Sequence, residues 1–216
     1  HIRNLLREIY PGKWFTTGIS KGGQTTMFYR TFYPDDVDGS VSYVAPLNKS
    51  LEDGRHEPFI NEAGTPEVRA RIKEFQLEVL KRREAIEPMF ADYCAHKGYT
   101  FRVPISEIYD LAVLEYSFAF WQWGDDVNQI PALTATDSAY YKHLIDKCEP
   151  SYFAQQTPYT SFNVQAMREI GYYGYETEPF EEYLSVPHAE GYMRRVMIPD
   201  SLTYIEFDTN LYERVN

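Results

Sequence analysis

Gly18-Ile19-Ser20-Lys21-Gly22, followed at once by Gly23, is the pattern in this chain whose residue types and spacing could do chemistry. A G-x-S-x-G run between a strand and a helix lifts a serine hydroxyl out of a tight, strained turn, where it can act as a nucleophile. Glycines flank such a serine because side chains there would collide with the neighbouring strand and helix. The turn also aims the backbone N–H of Lys21 toward the hydroxyl, where with the helix N-terminus it can stabilise an oxyanion. Residue types alone leave open a glycine-rich turn without chemistry. A phosphate-binding loop is disfavoured, because GISKGG lacks the G-x-x-x-x-G-K-[ST] order.

A serine nucleophile needs a base, and the base an acid that orients it. The histidines are His56, His96, His143 and His188, with His1 upstream, and each falls in loop or helical sequence. Asp125 and Asp126 in WGDD and Asp208 in EFDTN are the possible acids. None carries a local pattern that ties it to Ser20. Trp121 and Trp123, in FAFWQWGDD, could wall a pocket for an apolar or proline side chain, or simply pack a helix.

The elements around Ser20 alternate. Residues 1–10 place Ile2, Leu5, Leu6 and Ile9 on one helical stripe. WFTTGI, residues 14–19, reads as a buried strand, 21–33 as a helix ended by YPDD, and 39–46 as a second strand. Helix, strand, helix, strand marks a parallel α/β sheet with right-handed crossovers. From about residue 48 the character changes to a polar loop. A long charged helix then runs from a Thr65 cap to about His96, with Pro88 as a kink point. Helices follow at 104–123, 136–147 and 160–171, then a strand-like TYIEF at 203–207 and a short helix from Asn210. Two strands do not make a stable parallel sheet alone. Other strands are therefore expected from the remainder of the polypeptide or from a second chain, and the sequence reads as a fragment. The expected division is a core segment 1–47, a helical cap 48–200, and a return toward the core at 201–216.

Composition narrows the function classes. The 216 residues are 44% hydrophobic, enough for a sizeable core, and 19 of them are tyrosine. A formal charge of −11 argues against nucleic acid and anionic membranes as partners, and no apolar run is long enough to span a bilayer. Two cysteines, Cys94 and Cys148, allow one disulfide in an oxidising compartment. Their number, and the absence of metal-ligand spacing, argue against a structural metal site.

TTGISKGGQTTMFYRTFYPDDVDGSVSYVAPLN resembles the serine turn and following strand of serine peptidase family thirty-seven, the secreted tripeptidyl aminopeptidases. It is more distantly similar to the prolyl carboxypeptidase and dipeptidyl peptidase II family, which carries a G-x-S-x-x-G turn. YFAQQTPYTSFNVQAMREIGYYGYET resembles the lid segment of both. The resemblance implies an α/β-hydrolase whose large helical lid is inserted after the strand that follows the nucleophile. It implies a Ser-Asp-His triad, with Ser20 as the matched member and the Asp and His expected beyond Asn216, and no cofactor. Peptides with a free N-terminus are the implied substrates, and a secreted, periplasmic or cell-surface location follows. Glu169, in REIGYYGYE, becomes the expected counter-charge for the substrate ammonium, with Glu176 and Glu178 as alternatives. An esterase on the same fold, or a binding domain that kept the turn, are the competing functions.

Overall fold

The structure, a computed structural model, describes residues 2–186 and 191–215, so His1 and His188 lie outside the described residues. Helix α1 (Ile2–Ile9) leads to strand β1 (Phe15–Ile19), helix α2 (Lys21–Phe32) and strand β2 (Gly39–Tyr43). The strands pair in parallel, from Phe15 opposite Gly39 to Ile19 opposite Tyr43. The crossover holds because α2 packs on both strands and the Thr16 and Ser40 hydroxyls bond across them at 2.9 Å. Helix α2 stops where Pro34 follows Tyr33, since the residue before a proline is pushed out of the helical region.

Strand β1 was expected to be buried and is not: Phe15 is 65% and Ile19 69% exposed. Two strands with one crossover helix have nothing to lay over the second face. The apolar stripe of α1 is likewise exposed at Ile2, Leu5, Leu6 and Ile9. The second strand also ends three residues early. Val44 takes φ 41°, a strained value for a β-branched residue, which turns the chain away from the sheet.

The segment 48–64, expected as a loop, holds strand β3 (Glu52–Asp53) and helix α3 (His56–Ile60). Strand β3 pairs in parallel with β4 (Tyr172–Tyr173), a contact between residues more than a hundred positions apart that no local pattern announces. The expected long helix is two helices, α4 (Pro66–Lys81) and α5 (Arg83–Lys97). They break at Arg82, not at Pro88. The Arg82 guanidinium bonds the carbonyls of Leu133 and Ala135 at 2.8 Å and lies over the Tyr140 ring, which anchors the break to a distant loop. Pro88 is thereby left in the second turn of α5. The Thr65 hydroxyl caps α4 by accepting from the Val68 N–H, with Pro66 in the first turn.

Helix α6 (Ile105–Trp123) is apolar around most of its circumference and forms the axis of the helical region. Tyr109, Tyr116, Phe75, Phe90 and Ile108 are almost completely buried around it. Its buried Asp110 pairs with Arg83 and accepts from the Ser185 N–H at 2.7 Å, which ties the 183–186 segment to the core. Helices α7 (Asp137–Lys147) and α8 (Thr160–Gln165) complete the layer, and α8 runs on as a wide π-turn, Ala166–Ile170. Cys94 and Cys148 are both buried and free, so the disulfide that their number allowed is not formed.

TYIEF was expected as a strand and is irregular. The Thr203 and Ile205 carbonyls go to Arg194 Nη1 at 2.7 and 2.6 Å, so a guanidinium takes the acceptors a ladder would use. Helix α9 (Asn210–Val215) then returns to α2, with Arg214 over the Phe32 ring.

Candidate active site

Ser20 stands between the last residue of β1 and the first of α2, with φ 54° and ψ −121°. A positive φ is uncommon for a non-glycine residue and persists only where the surroundings enforce it. Here the Ser20 N–H donates to the Tyr43 carbonyl at 3.0 Å, and the Ser20 carbonyl accepts from Gln24 N–H at 3.0 Å. Gln24 in turn donates its side chain to the Pro46 carbonyl at 2.8 Å, so the exit of β2 braces the turn. Ser20 is exposed. Lys21, as the first residue of α2, has an N–H with no intrahelical acceptor.

The glycines are not equivalent. A side chain at Gly18 would strike the Gly22 carbonyl, and one at Gly23 would meet Ala45 Cβ at 2.7 Å and the Tyr43 carbonyl at 2.9 Å. Gly22 has nothing within 4 Å. Of the two glycines expected to be needed for space, Gly22 is therefore not; the packing fixes Gly18 and Gly23, a G-x-S-x-x-G spacing.

Among the described histidines, none bonds the Ser20 hydroxyl. His56 Nε2 lies 2.8 Å from Asn48 Oδ1, and Asn48 donates onward to the Ile170 carbonyl, locking the start of the helical region to the π-turn. His143 bonds the Tyr116 hydroxyl at 2.8 Å among core aromatics. Burial pushes both imidazoles below the ordinary histidine value. His96 is an exposed residue in the last turn of α5. The candidate acids have structural partners: Asp125 with Lys147 at 2.7 Å, Asp126 with the Asn128 N–H, and Asp208 with the Asn210 N–H.

A cavity of about 180 Å³ opens between α3, α4, α6 and the 176–180 segment. Trp121 lines it, with Phe118, Leu114 and Ile72. The edge of the Trp121 indole also packs against Gly64, whose missing side chain makes room for it. Trp123 lies outside the cavity and is 73% exposed. The cavity's acids are Glu57 and Glu176, not Glu169. Glu169 sits in the π-turn and accepts from Gln165 Nε2 at 2.9 Å. Glu178 begins the short 3₁₀ turn Glu178–Tyr183 and is exposed.

Beside the cavity lies a tyrosine cluster. Glu115, on α6, accepts from the Tyr175 hydroxyl at 2.6 Å and from Tyr173 at 2.9 Å. Tyr173 stacks on Phe118 with ring centres 4.3 Å apart, and Tyr152 and Tyr172 join hydroxyls at 2.5 Å. Burial raises the Glu115 carboxyl to about 7, and the two tyrosine donors only partly offset it. Sequence reasoning missed Glu115 and Glu57. A lone acid inside LAVLEYSFAF was a usable signal for Glu115; nothing in NKSLEDGRHEPFINEAG separates Glu57 from its neighbours.

Among the described residues no group of three or more histidine, cysteine or acidic side chains could hold a metal ion, and no helix is long and apolar enough to cross a membrane. A family model described as PS-10 peptidase S37 matches residues 1–199. The chain is 30% identical over 214 residues to a prolyl tri/tetrapeptidyl aminopeptidase of Streptomyces mobaraensis, a match covering 96% of this chain. It spans 43% of that relative's length. No solved structure matches. The turn at Ser20 and the match along residues 1–199 agree, and the chain belongs to the PS-10 peptidase S37 family.

Proposed function

We propose that this chain carries the nucleophile and the substrate-recognition cap of a serine peptidase that releases short peptides from a free N-terminus. The observation that carries the reading is the backbone of Ser20: a positive φ held in a strand-to-helix turn by two glycines that admit no side chain. In this reading residues 1–47 are a segment of an α/β-hydrolase core, 48–200 a lid, and 201–216 the return to the core. Family membership, and the similarity to an aminopeptidase, support it.

Ser20 Oγ attacks the scissile carbonyl carbon while a histidine base takes its proton. The carbonyl oxygen becomes an oxyanion, held by the Lys21 N–H at the start of α2 and by a second donor. Collapse expels the amine, which receives the proton, and water then hydrolyses the acyl-serine. The base and its carboxylate come from outside the described residues, since His56 and His143 are engaged elsewhere and no described acid is aligned with a histidine beside Ser20. Trp121 forms one wall for the substrate, Trp123 is an exposed contact at the same helix end, and Glu169 is the expected counter-charge for the substrate's ammonium, with Glu176 and Glu178 as alternatives. The peptide is the substrate, no cofactor takes part, and the protein works in a secreted, periplasmic or cell-surface setting.

The test is labelling of the full-length protein by a fluorophosphonate probe, followed by mapping of the modified peptide. Modification at Ser20, lost in Ser20→Ala, is the expected result. Peptides with a free N-terminus should then be cleaved, and N-blocked ones spared. Labelling at another serine, or hydrolysis of simple esters alone, would remove the reading.

A further inference from the structure

We propose that the cavity between α3, α4 and α6 is a pocket for a primary ammonium group attached to an apolar side chain, with Glu57 as the counter-charge. Glu57 Oε2 is buried and has no hydrogen-bond partner among the described residues. A buried carboxylate oxygen without a partner carries an uncompensated desolvation cost, which a donating ligand would offset. Burial pushes the Glu57 carboxyl above its ordinary value, and the nearby carboxylates of Glu176 and Asp53 push the same way. A cation entering the cavity would relieve all three effects together.

The walls say which cation. Trp121, Phe118, Leu114 and Ile72 offer an aromatic and aliphatic surface, which suits an organic group and not a bare ion. No cluster of three metal-ligating side chains forms among the described residues. The Asn61 side-chain amide reaches Glu176 at 3.4 Å, at the exposed mouth of the cavity. The cations nearby do not neutralise the site from within. Arg69 is committed to the carbonyls of Glu62, Ala63 and Gly64, and Lys73 is an exposed residue of the lining that bonds neither carboxylate. The volume of about 180 Å³ takes an amine with one medium side chain, not a long peptide.

Identifying that amine as the first residue of the peptide rests on the peptidase reading; the ammonium pocket itself does not. It also transfers the leading role in ammonium recognition from Glu169, which lies outside the cavity and already accepts from Gln165, to Glu57. The peptide's first side chain would then lie against Trp121 and Phe118.

The experiment is calorimetry on the full-length protein with 2-phenylethylammonium and, as its neutral match, 2-phenylethanol. The wild type should bind the ammonium roughly tenfold to a hundredfold more tightly, the range a charge-assisted hydrogen bond supplies. Glu57→Gln, which keeps the shape and removes the charge, should erase that preference. Equal binding of the two probes by the wild type, or a preference retained in Glu57→Gln, would overturn the proposal. The wild-type comparison needs no variant to fold. If the ammonium preference is present and depends on Glu57 while no peptide is cleaved, the pocket stands and the peptidase reading falls. If free peptides are cleaved with the same KM by wild type and Glu57→Gln, the peptidase reading stands and the ammonium assignment falls.

Discussion

Glu115, held by Tyr173 and Tyr175, has its carboxyl raised to about 7 by burial, and this has a consequence for stability. Between the ordinary carboxyl value of 4.5 and about 7 the folded chain holds a proton that the unfolded chain has released. A proton held more tightly by the folded state means that folding loses stability as pH rises through that window. The contribution is fully present below about pH 4.5 and gone above about pH 7, with an upper bound of about 3 kcal/mol from the size of the shift. Glu115→Gln keeps an acceptor for Tyr173 and Tyr175 and removes the titration. Denaturation midpoints at about pH 5 and about pH 8 should separate for the wild type and draw together in the variant. A wild-type difference unchanged by the substitution would move the cause to another group.

The strand-to-helix turn is the element whose requirements separate most clearly. Gly18→Ala and Gly23→Ala force a methyl into backbone or into Ala45, and overpacking of that kind costs about 1–3 kcal/mol. Gly22→Ala places its methyl in open space inside α2, where alanine is favoured over glycine by up to about 1 kcal/mol. Urea denaturation of the three variants should therefore give two losses and one small gain or no change. A loss at Gly22 equal to that at Gly18 would overturn the assignment of Gly18 and Gly23 as the two packing glycines. The break between α4 and α5 belongs to the same scale. Helical periodicity runs through residues 65–96 without interruption, and the loop carbonyls that claim Arg82 come from some fifty residues away.

Across the whole molecule, burial is uneven. The helical region around α6 hides its aromatic residues, while α1, β1 and the end of β2 leave Ile2, Phe15, Ile19, Val41 and Val44 exposed. Apolar surface gathered on one side of a domain, with an open parallel strand edge, is a site for association. The 216-residue chain prepared by itself should bind a hydrophobic dye and elute ahead of a monomer in size-exclusion chromatography. On the reading proposed above, further strands cover this side in the full-length protein, which should show neither behaviour. A dye-free monomeric elution of the 216-residue chain would mean that these side chains are covered from within.

The features legible in the residues alone are local ones. Glycine spacing marked the turn at Ser20, since steric limits on φ and on close approach act within five residues; Thr65 and Pro66 marked the start of α4, and the apolar run 104–123 marked α6, for the same reason. The family was legible from the same turn and from the aromatic-rich segment 152–177. Tertiary structure alone decided the rest. It paired β3 with β4, turned TYIEF into an irregular segment by giving its carbonyls to Arg194, and kept Cys94 and Cys148 apart as free thiols. It also set Glu57 and Glu176, the latter one of the expected alternatives, in the cavity wall and left Glu169 outside it. Burial and desolvation are properties of what surrounds a side chain, and for Glu57 the surroundings are α4, α6 and the 176–180 segment, none of which its own stretch of sequence encodes.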